Sequence, residues 1–286
     1  MMLKQSLVRW IGKAISGTFY AIRADDSGVG ARHRHVWAHL EFDGEGIAMS
    51  MEVVSAKGDL DAAFDRAAKA IFAVCAQVPL GSDPVMALCG GRSVVGLLGA
   101  LKRESVNQPA GLMQRIHFFM ADERLVPLND ENSNYGALHR LLFADLVKDG
   151  TIRTEQLHPL ISDPSESDHG CAAYADELGR HGGRFTAVVL GIGEDGHVAG
   201  LFPNHPALQR REKTFFSFYD SPKPPPQRMT AGAQLIREAE LCVLLALGEG
   251  KRDAWNRFSE PETSFQECPS VIGKEVKKYV VVTDLQ

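Results

Sequence analysis

The sequence predicts an α/β fold built on a mainly parallel sheet flanked by helices. Three observations carry that expectation. Short apolar runs rich in Val, Ile, Leu and Phe recur at residues 85–89, 116–120, 185–190, 241–247 and 279–283, the signature of strands buried on both faces. Segments with apolar residues at helical spacing alternate with these runs, as βαβ units require. Glycine-rich or polar turns follow the strand ends, where open α/β sheets collect their ligands.

The elements follow in order. Asp59 or Asp61 can cap a helix that buries Phe64, Ala67, Ala68, Ile71, Phe72 and Cys75, since a carboxylate accepts from the first free N–H groups of a helix. Pro84 opens the strand over 85–89, and a helix runs from about Ser93 to Lys102 after the intervening glycines. The strand over 116–120 leads into a polar loop rich in Asp, Glu and Asn that reaches about Asn134. A helix from Tyr135 to about Val147 comes next, and another around His169 to Leu178 precedes the strand over 185–190. Four prolines between Ser221 and Gln227 dictate an extended loop. The buried strand over 241–247 is followed by a helix from about Gly250 to Phe258, and 279–283 is the last strand. No fixed-period repeat or long linker interrupts this run, so residues 51–286 read as one α/β catalytic domain. Residues 1–50 form an extension whose role the sequence leaves unassigned.

Composition narrows the function. At 286 residues, with 44% hydrophobic and 23% charged residues, the chain has the makeup of a soluble globular protein that needs neither metal nor disulfide to hold its core. A net charge of −5 argues against a nucleic-acid partner, though it leaves room for a local basic pocket. No apolar stretch of about 18 residues or more is present, so no membrane partner is expected. The five cysteines Cys75, Cys89, Cys171, Cys242 and Cys268 form no C-x-x-C pair and read as reduced thiols of a cytoplasmic protein. The start is basic: Lys4, Arg9, Lys13, Arg23, Arg32 and Arg34 face only Asp25 and Asp26 before Glu41. Organelle transit peptides share that bias; the plainer expectation is an extension that packs as an extra strand or helix. His33, His35 and His39 alternate, but no nearby cysteine or adjacent acid completes a metal site, and no metal or cofactor is expected.

The most informative stretch is Val188-Val189-Leu190-Gly191-Ile192-Gly193-Glu194-Asp195-Gly196-His197. An apolar strand ends in a glycine turn that delivers an acid and a histidine together. Gly191, Gly193 and Gly196 also spell the G-x-G-x-x-G of dinucleotide-binding turns, with Glu212 about 20 residues on. That reading needs a long helix from the third glycine. Pro203 and Pro206 follow too soon, because proline removes a donor and clashes with the preceding turn. A catalytic turn is the better reading, with Asp195 and His197 as the reacting pair and Gly193 and Gly196 shaping it.

Other segments are expected to converge on it. Gly90-Gly91-Arg92-Ser93 joins a strand to a helix start, where small residues and free N–H groups favour an anion. In Asp122-Glu123-Arg124, adjacent side chains on extended backbone cannot both face a substrate, so one acid orients Arg124 or a neighbouring loop. Arg124 has the fork geometry suited to phosphate. Arg228-Met229-Thr230 and Gly248-Glu249-Gly250-Lys251 add an arginine and a lysine. No G-x-S-x-G nucleophile elbow is present.

Taken together, G-G-R-S at 90–93, D-E-R-L-V-P at 122–127, S-N at 133–134, L-G-I-G-E-D-G-H-V-A-G-L-F-P at 190–203, R-M-T at 228–230 and G-E-G-K at 248–251 resemble the 6-phosphogluconolactonase family over roughly residues 50 to 286. The resemblance implies a modified Rossmann-like sheet of the glucosamine-6-phosphate deaminase and ribose-5-phosphate isomerase type, with no nucleotide and no required metal. It implies hydrolysis of 6-phospho-D-glucono-1,5-lactone to 6-phosphogluconate in the oxidative pentose phosphate pathway. His197 is then catalytic; Arg124, Lys251 and the loop of Gly91, Arg92 and Ser93 hold the phosphate. The partner would be a phosphorylated sugar lactone, and the protein a monomer or homodimer. Two positions depart from the pattern: Val94 replaces a proline, and Gly200 replaces a small hydroxyl residue. The alternatives are a sugar-phosphate isomerase or deaminase on the same scaffold, whose second acid after D-G-H is missing in Leu201-Phe202-Pro203-Asn204-His205, and a non-catalytic sugar-phosphate binder.

Overall fold

Two sheets organise the chain. The computed structural model describes residues 18–21, 37–42, 48–55 and 58–285. Its strands are β1 (Thr18–Ala21), β2 (Trp37–Phe42), β3 (Ala48–Ser55), β4 (Val85–Leu88), β5 (His117–Met120), β6 (Asp122–Arg124), β7 (Leu157–His158), β8 (Ala187–Gly191), β9 (Phe215–Phe218), β10 (Arg228–Ala231), β11 (Leu241–Ala246) and β12 (Lys278–Thr283). The larger sheet has the order β1-β2-β3-β12-β11-β8-β4-β5-β7. From β3 to β7 every pairing is parallel. β1 and β2 extend the sheet past β3 in antiparallel register.

The parallel pairing follows from the sequence. β4 and β11 are buried at every residue and β8 at all but its last, as strands covered on both faces must be. The chain moves outward from β4 through β5 to β7. It then returns to β8 on the other side of β4 and continues through β11 to β12. The carboxyl ends of β4 and β8 therefore flank a topological switch point, where the diverging connections leave a crevice.

Helices α1 (Leu60–Ala76), α2 (Val94–Ser105), α3 (Asn134–Leu138), α4 (Ala144–Lys148), α5 (Cys171–Arg180), α6 (Ala233–Arg237) and α7 (Arg252–Ser259) connect the strands. Asp59 caps α1, its carboxylate accepting from the Ala62 N–H at 2.9 Å, and Phe64, Ile71 and Phe72 are buried beneath it. α2 runs past Lys102 to Ser105. The single helix expected over 135–147 is α3 and α4 joined by a π-turn at His139–Phe143. Phe119, Phe143, Phe185, Phe202 and Phe258 are fully buried in the core.

The three-stranded sheet, of order β6-β10-β9, corrects the sequence reading. The polar loop predicted after β5 holds over 125–133, but its first residues pair as a strand: Arg124 pairs with Arg228 and Asp122 with Thr230 in antiparallel register. Two acids and an arginine carry no strand signal of their own; partners distant in sequence supply the ladder. β7, with two residues, was equally unmarked. No helix starts at Gly196. Val198 and Leu201 close a bridge instead, which removes the helix a dinucleotide site requires.

Among the described residues no helix is long and apolar enough to cross a membrane. His33, His35 and the basic residues Lys4, Arg9, Lys13, Arg23, Arg32 and Arg34 lie outside the described residues, as does the side chain of His39 on β2.

Candidate active site

A cleft of about 880 Å³ opens at the carboxyl ends of β4, β8 and β11, and Gly90, Gly91, Arg92, Ser93, Asp122, Arg124, Gly193, His197, Arg228 and Lys251 all line it. The strand order sets this out: Lys251 follows β11, His197 follows β8, Gly90 to Ser93 follow β4 and Asp122 follows β5. Four segments far apart in sequence thus meet on one edge.

The turn after β8 brings Asp195 and His197 together. Gly193 donates to the His197 carbonyl at 2.8 Å and Gly196 to the Gly193 carbonyl at 2.9 Å, closing a loop over Asp195. Gly196 has φ +87°, a left-handed conformation that glycine adopts without penalty. The Asp195 carboxylate contacts His197 Nδ1 and accepts from the His197 backbone N–H at 3.2 Å. Burial acts to raise the Asp195 carboxyl. The His197 hydrogen bonds and charge, and then Lys223, outweigh it and hold the group at about 2. An ionised carboxylate can only accept, so Nδ1 is the donor in this contact. Phe202 packs against the imidazole, with ring centroids 4.6 Å apart.

The cleft also carries cations: Arg92, Arg124, Lys223, Arg228 and Lys251 line it. Lys251 Nζ donates to Ser93 Oγ at 2.7 Å, which joins the two anion-suited loops. Burial lowers the Lys251 ammonium from its usual range against the pull of Glu194 and Asp284, since desolvation disfavours the charged form. Arg124 donates through Nη1 to the Asn132 carbonyl at 2.7 Å. Its buried Nε has no partner among the described residues. An orphaned donor in a cleft is a place for a ligand oxygen.

The two acids of 122–123 divide as extended backbone requires. Asp122 lines the cleft and accepts from Asn134 Nδ2 at 3.2 Å. Burial pushes its carboxyl up against the pull of Arg124, Arg228 and His197. Glu123 points the other way, to the start of α3. Its carboxylate accepts from the N–H groups of Arg124, Asn134 and Tyr135, each at 2.7 Å, and from Ser133 Oγ at 3.2 Å.

Arg228 lies in the cleft wall, but its hydrogen bonds go to backbone. Nε donates to the Pro225 carbonyl at 2.9 Å, and Nη2 to those of Pro224 and Lys223 at 3.0 and 3.2 Å. The proline loop is fastened there, and it carries Lys223 to within 3.8 Å of Asp195 Oδ2. Lys223, Asn134, Glu194 and Phe202 line the cleft as well; Asn134, Glu194 and Phe202 fall within the motifs that carry the resemblance, without a role assigned to them there, while Lys223 falls outside those motifs. For Lys223 the proline run was the available signal, because a rigid loop after an aromatic strand has to be anchored.

The family model for glucosamine-6-phosphate isomerases/6-phosphogluconolactonase matches residues 58–281. A 6-phosphogluconolactonase of Borreliella burgdorferi is 33% identical over 201 residues, covering 70% of this chain and 83% of that one. One of Rattus norvegicus is 35% identical over 189 residues, covering 61% and 71%. The crystal structure of a 6-phosphogluconolactonase from Thermotoga maritima superposes with a TM-score of 0.65 at 22% identity, over 82% of this chain and 98% of that one. The structural likeness fixes the fold as the expected Rossmann-like type.

Proposed function

Because this chain belongs to the glucosamine-6-phosphate isomerase/6-phosphogluconolactonase family, we propose that it opens 6-phospho-D-glucono-1,5-lactone to 6-phospho-D-gluconate. The observation that carries the reading is the placement of a carboxylate-oriented imidazole and a lysine–serine pair in one cleft.

The substrate's phosphate sits against Lys251, Ser93 and the N–H groups after Gly91, with the unpartnered Arg124 Nε as a further donor. Arg92 and the fastened Arg228 add positive charge to the same cleft. This grip on a remote group orients the lactone carbonyl, and such orientation contributes to the rate of the reacting step. Water attacks C1 while His197 Nε2 accepts its proton. Asp195 holds Nδ1–H and stabilises the imidazolium that forms, as the carboxylate does in hydrolytic triads. The imidazolium then protonates the departing ring oxygen, and the histidine returns to its starting form.

The test is acid release from freshly prepared lactone, with spontaneous hydrolysis subtracted. His197→Ala should lower kcat by about 10²- to 10⁴-fold with the fold intact, while Lys251→Ala mainly raises KM. Unaltered kcat in His197→Ala removes the general-base assignment. No acceleration by the wild type removes the activity, and ammonia release from glucosamine 6-phosphate would favour the deaminase alternative.

A further inference from the structure

We propose that His117, His158 and His181 form a binding site for one divalent transition-metal ion, at the sheet edge opposite the cleft. One nitrogen of each ring lies within 4.8 Å of the other two. His117 Nδ1 is 2.8 Å from His158 Nε2, and the His117 and His181 rings stack with centroids 3.8 Å apart. His117 begins β5, His158 ends β7 and His181 follows α5. The sequence expected no metal because these residues belong to three separate segments that only the fold brings together.

The surrounding carboxylates are arranged as an outer layer. Glu177 Oε1 lies 3.3 Å from His158 Nδ1, and Asp83 Oδ2 lies 2.9 Å from His181 Nδ1. On His181 this leaves Nε2 for an ion; on His158 the remaining Nε2 is hydrogen-bonded to His117 Nδ1, a contact that an ion between the two nitrogens would replace. Carboxylates on the far nitrogen of a ligating histidine fix its tautomer and raise its basicity.

Three imidazoles beside a carboxylate suit zinc, copper or nickel rather than magnesium or calcium, which prefer all-oxygen sites. Zinc–nitrogen bonds of about 2.0–2.1 Å in tetrahedral geometry put ligand nitrogens a little over 3 Å apart. The 2.8 Å pair opens slightly and the widest pair closes by an ångström or so, within reach of side-chain rotation. Glu177 Oε1 is also 3.6 Å from His181 Nε2, so this outer-layer carboxylate is shared by two of the rings and the fourth position is left to water. An ion here would tie the two-residue edge strand β7 to β5 and to the end of α5, a bracing role separate from the cleft.

The experiment uses the full chain stripped with a chelator. Zn²⁺ is titrated by calorimetry and thermal unfolding, and Co²⁺ by visible absorption, with Mg²⁺ as control. The expected result is one Zn²⁺ per chain, a raised Tm, cobalt bands of a nitrogen-ligated low-coordinate centre, and no response to Mg²⁺. His181→Gln, at the exposed end of α5, should weaken Zn²⁺ at least tenfold, and Glu177→Gln about tenfold. Lactone hydrolysis should be unchanged in both variants, so this site and the cleft are judged separately. Absence of saturable Zn²⁺ binding by the wild type overturns the proposal. So does equal binding by His181→Gln, which would place the ion elsewhere.

Discussion

Gly193→Ala tests the proposed catalytic turn without replacing either His197 or Asp195. Gly193 does not use left-handed backbone, so alanine is conformationally acceptable there. The obstacle is space. An added Cβ would lie 2.1 Å from His197 Cε1 and Nδ1 and 2.8 Å from Asp195 Oδ1, where ordinary contact begins at 3.4 Å. The imidazole and its carboxylate must therefore retreat together by roughly an ångström. A displacement of that size at a reacting group costs about 100-fold in rate, or about 2.7 kcal/mol in the barrier. The assay is initial acid release from fresh lactone at saturating substrate. Calorimetric binding of 6-phosphogluconate reports whether the lysine–serine end is intact. kcat should fall about 100-fold while product affinity stays within a few-fold. Gly99→Ala in α2 is the control: its Cβ would meet only Arg103 Nη1 at 3.5 Å, and helix propensity favours alanine there by roughly 0.5–1 kcal/mol. If Gly193→Ala turned over within a few-fold of wild type, the imidazole position would not set the rate and the general-base argument would fail.

Three further outcomes follow from the same geometry. The Asp195 carboxyl, held at about 2, is depressed below its unfolded value, so its contribution to stability is complete above about pH 4 and lost as pH falls through about 2. With the side chain 34% exposed, screening leaves that contribution on the order of 1 kcal/mol. Asp195→Asn should flatten this acid limb in a Tm–pH profile and lower kcat on the order of 100-fold at neutral pH, less than the ~10⁴ of a protease triad because a lactone is more reactive than an amide; an unchanged kcat would free Asp195 from any role in orienting the base. Glu123→Gln places an amide donor among four donors, and urea unfolding should show a loss of about 2–3 kcal/mol, whereas a loss below about 0.5 would mean that Glu123 does not hold α3. Burial pushes the Cys89 thiol in the cleft wall up to about 12, so Cys89→Ala should keep kcat and the wild type should resist iodoacetamide at neutral pH; inactivation would reveal a reactive thiolate.

The parallel sheet was legible because its strands announce themselves one at a time. Leu241–Ala246 is apolar at every position, and no neighbour is needed to see why water is excluded from it. The His197 turn was legible for a similar reason: glycine, acid and histidine fall within seven residues, and Pro203 sits close enough to forbid the competing helix. The second sheet was hidden because Asp122–Arg124 is extended only by virtue of β10, a partner more than a hundred residues away. Arg228 was visible as a cation, but its attachment to the carbonyls of Lys223, Pro224 and Pro225 depends on how the proline loop folds back. The histidine cluster is the extreme case, since no two of its members share a local segment.

Gly200 shows how the hidden sheet serves the visible turn. In the pattern this chain resembles, a small hydroxyl residue stands at that position; here a Cβ would lie 2.7 Å from Thr230 Cβ and 3.0 Å from the Phe218 ring. The hydroxyl comes instead from the neighbouring strand, as Thr230 Oγ1 accepts from the Gly200 N–H at 3.0 Å and donates to the Ala231 carbonyl at 3.0 Å. Thr230 is fully buried on β10, the strand that also carries Arg228 and pairs with Asp122. One three-stranded sheet thus fastens the segment after His197, the loop bearing Lys223 and the acid facing the cleft. A side chain restored at position 200 would displace Thr230 rather than add to it, so the glycine and the threonine act as a single unit and a change at either demands a change at the other.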